Sequence, residues 1–166
     1  MTENICKLNL DNVQILAICR DIELCCAEIY NYYAGLFTHN SEISDLWKKT
    51  ANEEENHAKQ FALAITLHKK GIIENTSIDS DTAETTLKNI KIIYEGVKRN
   101  QPSLTDALKI SIKLEEKLSD FHTSAVANFV DESFKNMFIA MMKADNYHLG
   151  KLQNAYSKIL KVDIPL

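Results

Sequence analysis

Residues 52–58 read NEEENHA, three glutamates and a histidine inside a segment whose neighbours repeat with a helical period. Either this is a solvated charged face, or one edge of it points inward. Glu54 and His57 fall on the same helical stripe as Trp47, Thr50, Phe61 and Ala64, so that edge is the inward one. A buried carboxylate without a partner is expensive, so the rest of the chain has to supply one.

Outward from this stretch, 3.6-residue periodicity predicts five helices. The first covers roughly 10–38, with Leu16, Cys19, Glu23, Cys26, Tyr30, Tyr33 and Phe37 on one stripe. The second runs from about Ser41 to Lys70, with Gly71 as its stop. After the polar connection IIENTSIDS, Asp81 and Glu84 mark the start of a shorter helix whose apolar face is Leu87, Ile90, Ile93 and Val97. Pro102 ends that region, and Ser103 with Asp106 opens a helix to about Asn128. Its stripe is Leu108, Ser111, Glu115, Leu118, His122, Ala125 and Phe129. The last helix spans about 131–160, with Phe134, Phe138, Met141, Asp145, His148 and Leu152 inward.

Four of these are rods of about 40 Å, at roughly 1.5 Å per residue. The expected fold is all-α: a four-helix bundle of two antiparallel hairpins, joined by a long crossover that contains the short extra helix. The 166 residues form one domain with no visible linker, and four Gly and two Pro suit long uninterrupted helices.

Each long stripe is interrupted near its middle by a carboxylate or histidine. Asp145 and His148 repeat the spacing of Glu54 and His57, one helical turn apart. Glu23 lies 31 residues before Glu54, and Glu115 lies 30 before Asp145. The halves therefore match, each with a carboxylate on its first helix and a carboxylate-x-x-His on its second. Four ionised carboxylates in a low-dielectric core repel one another, and two divalent cations cancel their charge. Oxygen and imidazole ligands without thiolate suit iron or manganese. The expected ligands are Glu23, Glu54, His57, Glu115, Asp145 and His148, with Glu54 and Asp145 placed to bridge two irons, a manganese pair or a mixed one. Glu28, Glu53, Glu55 and Glu116 lie off the stripes and read as solvated.

These residues carry a resemblance. The stretches ELCCAEIYNYYA (23–34), NEEENHAKQF (52–61), SIKLEEKL (111–118) and ADNYHLGKL (144–152) make the chain similar to the rubrerythrin-like branch of the ferritin-like superfamily, over all four long helices. The resemblance implies a ferritin-like bundle holding two irons on the same six residues. It also implies reduction of hydrogen peroxide or dioxygen in oxidative-stress defence, and a homodimer. Three features depart from the family pattern. Leu118 stands where rubrerythrins place a further glutamate. No cysteine pair is spaced for a rubredoxin domain, so electrons must come from an external donor. Asp145 replaces the usual glutamate, and one methylene less of reach weakens bridging and makes the two metal positions unequal.

Around the ligands, Tyr30 is open to two readings: a hydroxyl that hydrogen-bonds a ligand or supplies a proton, or a packed core tyrosine. His122 holds the equivalent place after Glu115 and has the same two readings, contact with a ligand or plain packing, of which packing is preferred. Cys6, Cys19, Cys25 and Cys26 read as small buried apolar residues in a reducing cytoplasm. A net charge of −4 offers no footprint for nucleic acid, no apolar run is long enough to span a membrane, and MTENICKLNL lacks a signal-peptide pattern. The competing function is a ferritin-like subunit that oxidises ferrous ion for storage. The ending VDIPL leaves no room for a pore-lining fifth helix, which lowers the expectation of a storage cage.

Overall fold

The computed structural model describes residues 11–71, 78–126 and 132–162, apart from the side chains of 124–126, 134 and 162. The inward positions expected for Ala125, Phe129 and Phe134, the residue Cys6 and the stretch 72–77 lie outside what is described. Among the described residues there are five helices: α1 (Asn12–Leu36), α2 (Ser41–Lys69), α3 (Ser80–Arg99), α4 (Leu104–Val126) and α5 (Glu132–Val162). None is long and apolar enough to cross a membrane.

Local chemistry sets most of the boundaries. Asp11 caps α1 by accepting from the Gln14 backbone N–H at 2.8 Å, while the Gln14 side chain accepts from the Asp11 N–H at 2.9 Å. The Asn40 side chain does the same for Ile43 at the start of α2. Gly71 follows α2 with φ of 70°, a left-handed conformation that favours glycine. The cap of α3 is Asp79 rather than the expected Asp81. Its carboxylate accepts from the Thr82 N–H at 2.9 Å, which leaves Asp81 in the first turn, where a negative charge favours the helix dipole. Ser103 opens α4 as expected, accepting from the Asp106 N–H at 3.1 Å.

Side-chain pairings give the direction of each helix. Ala34 meets Ser44 and Tyr33 meets Trp47, while Glu23 meets His57, so α1 and α2 are antiparallel. His122 meets Asp145 while Ser119 meets Asn146, which makes α4 and α5 antiparallel as well. Across the hairpins, Glu23 pairs with His122 and Tyr30 with Glu115, and Glu53 pairs with His148 and Glu42 with Lys158. The cyclic order is therefore α1, α2, α5, α4, with directions up, down, down, up in chain order for the four long helices. Ile18 shares a groove with Leu87, and Tyr32 reaches the Val97 carbonyl at 3.5 Å, so α3 runs alongside α1 and in its direction. It carries the chain back along the bundle between the hairpins, burying Ala83, Ile90 and Val97 while Leu87 and Ile93 stay half-buried.

The expected inward stripes of the four long helices are buried at every described position. Two aromatic layers close the core at either side of its polar middle. On one side Trp47 packs on Tyr33 and Phe37 at 5.1 and 5.5 Å, and its indole N–H donates to Ser111 Oγ at 2.9 Å. On the other side Phe61 and Phe138 meet edge-on at 5.3 Å. Trp47 and Phe61 each lie seven residues from Glu54, so the polar layer sits roughly 10 Å from either aromatic one.

Candidate metal centre

Glu23 on α1, Glu54 and His57 on α2, Glu115 on α4, and Asp145 and His148 on α5 all converge in that middle layer, none more than 6% exposed. They form two groups close enough to hold a cation each. One is Glu23, Glu54 and His57; the other is Glu54, Glu115, Asp145 and His148, and within each group the donor atoms lie within 4.8 Å of one another. Glu54 belongs to both, which is the bridging position expected of it. Asp145 belongs to one only.

The reason for that asymmetry is His122. Its side chain is fully buried, with Nδ1 2.5 Å from Asp145 Oδ2 and Nε2 2.9 Å from Glu23 Oε1. One carboxylate oxygen of Asp145 is thus engaged by His122, which stands between it and Glu23 of the first group. Of the two readings for His122, the less favoured one, contact with the ligands, is what the structure shows. Tyr30 resolves in favour of contact: its fully buried hydroxyl donates to Glu115 Oε1 at 2.5 Å. Glu53 lies off the stripe and half-exposed, as expected, yet it also makes a contact that the sequence does not reveal. It stands on the wall of a cleft of about 570 Å³ between α2 and α5, and its Oε2 lies 2.5 Å from His148 Nε2. Glu28 and Glu116 are exposed, and Glu55 is half-exposed.

Several polar atoms in this layer are left over. Glu23 Oε2, Glu54 Oε1, Glu115 Oε2, Asp145 Oδ1 and His148 Nδ1 are all buried and have no hydrogen-bond partner. Five such atoms at one level of a bundle would cost several kcal/mol, at about 1–3 kcal/mol each, if nothing bound them. His148 Nδ1 stands 3.4 Å from Glu54 Oε1 and 3.5 Å from Glu115 Oε2. His57 Nδ1 stands 3.1 Å from Glu54 Oε2 and 3.5 Å from Glu23 Oε2. Apart from His57 Nδ1 and Glu54 Oε2, which share a hydrogen bond, these atoms are without one, and the chemistry of the whole set is that of a divalent cation's ligands. The donor set fits two such ions.

Without metal, protons balance the charge. Burial opposes protonation of the three histidines, yet the facing carboxylates outweigh it and push His57 and His122 up to about 10 and His148 up to about 11. Glu23 is also opposed by burial, but His122 and His57 hold it down at about 2. Burial wins at Glu115, helped by Glu54, and its carboxyl rises to about 7 against the opposing pull of His148. A ligating imidazole must be neutral, so His57 and His148 release their protons on loading and Glu115 releases a fraction of one. At pH 7 each chain that takes up two ions should liberate about two to three protons, and affinity should rise with pH. Calorimetry in buffers of different ionisation heat measures this, and heats independent of the buffer would contradict it.

Cys19, Cys25 and Cys26 are free and buried, as small apolar residues would be. Burial pushes the Cys26 thiol well above its ordinary value, with the nearby carboxylates Glu54 and Glu23 adding to the effect. That keeps it protonated and unreactive. Compared with protein-family models and with curated proteins, the chain matches none.

Proposed function

We propose that this chain is a ferritin-like, rubrerythrin-type bundle that holds two iron ions and reduces hydrogen peroxide or dioxygen, re-reduced by an external donor. The observation that carries the reading is the sharing of Glu54 by two buried carboxylate and histidine groups whose remaining oxygens lack partners. The order and direction of the helices, with one long crossover, agree with the ferritin-like arrangement. Iron is preferred for its redox chemistry, although manganese accepts the same ligands.

Two ferrous ions bound here would supply the two electrons that, with two protons, convert one hydrogen peroxide to two waters. The protein's part is to fix ligand geometry, exclude bulk water and deliver protons. The two aromatic layers close the centre from either end of the bundle. Tyr30 is a proton source in contact with a ligand, because its hydroxyl donates to Glu115 Oε1.

Anaerobic protein loaded with two ferrous ions per chain and mixed with peroxide tests the proposal. Oxidation should outpace that of free ferrous ion in the same buffer, with one peroxide consumed per two irons. Tyr30→Phe should keep both ions and slow the reaction at least about a hundredfold, the lower end of what a positioned proton donor contributes. A loaded protein that reacts no faster than free ferrous ion rules the enzyme out. Uptake of many irons per chain into a large hollow assembly would point to storage instead.

A further inference from the structure

Glu53 and Glu54 are neighbours on α2, about 100° apart around the helix, and their surroundings differ accordingly. Glu54 is fully buried among the six converging side chains. The Glu53 side chain is 45% exposed and lines the α2/α5 cleft together with Thr50, Tyr147 and His148. Its carboxylate reaches over the edge of the polar layer to His148, whose side chain is only 3% exposed.

An imidazole has two nitrogens, and the partner of one determines what the other can do. With Nε2–H donating to Glu53, the lone pair of a neutral His148 is on Nδ1. That nitrogen is the one without a hydrogen bond, and it faces Glu54 and Glu115. His57 has no such carboxylate on its Nε2 among the described residues; its recorded partners, Glu23 and Glu54, both meet Nδ1. The two halves of the centre are thus oriented differently, one histidine being held from outside and the other only from within.

We infer that Glu53 is a positioning residue for one of the two metal positions: it holds His148 from the cleft side with Nδ1 directed at the ion bound by Glu54, Glu115, Asp145 and His148. This rests on the dimetal reading above and adds to it a residue that touches no ion. A carboxylate behind a ligating histidine fixes the ring's tautomer and orientation and strengthens it as a donor; losing it lowers metal affinity by roughly 10–100-fold. Because Glu53 acts on His148 alone, its loss should weaken one ion and spare the other.

The test is anaerobic titration of the full chain with ferrous ion, comparing wild type, Glu53→Ala, Glu53→Gln and Glu55→Ala. Glu53→Ala should weaken one of the two ions by about 10–100-fold and leave the other within about threefold. Glu53→Gln, whose amide oxygen still accepts from Nε2–H, should recover most of the loss, and Glu55→Ala should change neither ion. Equal weakening of both ions, no change in either, or a glutamine variant as weak as alanine overturns the inference. A metal-free measurement separates it from the dimetal reading. In protein labelled at histidine with nitrogen-15, the His148 Nε2–H should exchange slowly with water in wild type and rapidly in Glu53→Ala. Rapid exchange in wild type removes the contact and the inference with it. Slow exchange in a wild type that takes up fewer than two ions supports the contact while sinking the dimetal reading.

Discussion

Replacing Glu54 by alanine should cost the protein both ions, not one. Glu54 is the single side chain common to the two groups, and its two oxygens face different partners, Oε2 toward His57 and Oε1 toward His148. Removing it takes a ligand from each position, and affinity for both should fall by at least about 100-fold, beyond what loss of a supporting residue costs. Stability gives an independent readout. An ion at 100 times its Kd stabilises the folded state by about 2.7 kcal/mol. Two such ions add roughly 5 kcal/mol, or about 10–20 °C in Tm for a domain of this size. Wild type should show that rise on loading and Glu54→Ala should lose nearly all of it. The metal-free variant should melt close to metal-free wild type, because removing one of four crowded carboxylates relieves repulsion while costing the hydrogen bond to His57. A variant that still takes up one ion tightly would show that Glu54 does not bridge.

His122→Ala should be the most damaging substitution in the metal-free protein. The imidazole joins α4 to α1 through Glu23 and to α5 through Asp145, and all three side chains are fully buried. Deleting it leaves Asp145 without its ion-pair partner and Glu23 with His57 alone, which costs about 3–5 kcal/mol for a broken buried ion pair. Tm should fall by roughly 10 °C or more. The dependence on pH has a definite sign. His122 is raised to about 10 from an ordinary value of 6.5, so its contribution is complete below pH 6.5 and disappears as pH rises through 10. Glu23 is lowered to about 2 from 4.5, so its contribution is complete above pH 4.5 and is lost as pH falls through 2. The difference between wild type and His122→Ala should therefore be largest between about pH 4.5 and 6.5. Denaturant melts of the metal-free proteins across pH 3–10 check this. A difference that grows toward pH 9 would contradict it.

The helices and the six converging residues were legible because they depend on spacing. A stripe of period 3.6 puts Glu23, Glu115 and the two carboxylate-x-x-His pairs inward whatever surrounds them. The chain's own caps also fixed most helix starts, except where Asp79, two residues before the expected Asp81, was better placed to reach Thr82. What could not be read was contact between helices. Glu53 lies off the α2 stripe, and only the register of α5 brings His148 within its reach. His122 sat on an inward stripe, where a packed histidine and a crosslink look alike. A faint signal did exist: His122 follows Glu115 by seven residues, as Tyr30 follows Glu23, and both prove to touch the layer they adjoin. The shortness of Asp145 agrees with its place in one carboxylate and histidine group rather than both, because the reach of a side chain is a property of the residue itself.

Crystals loaded anaerobically with ferrous ion and measured at the iron absorption edge test the central claim most directly. The account predicts two anomalous peaks inside the bundle, one beside Glu23 and His57, the other beside Glu115, Asp145 and His148, with Glu54 touching both. A single peak, or iron found only on the outer surface while the buried layer stays empty, would contradict it.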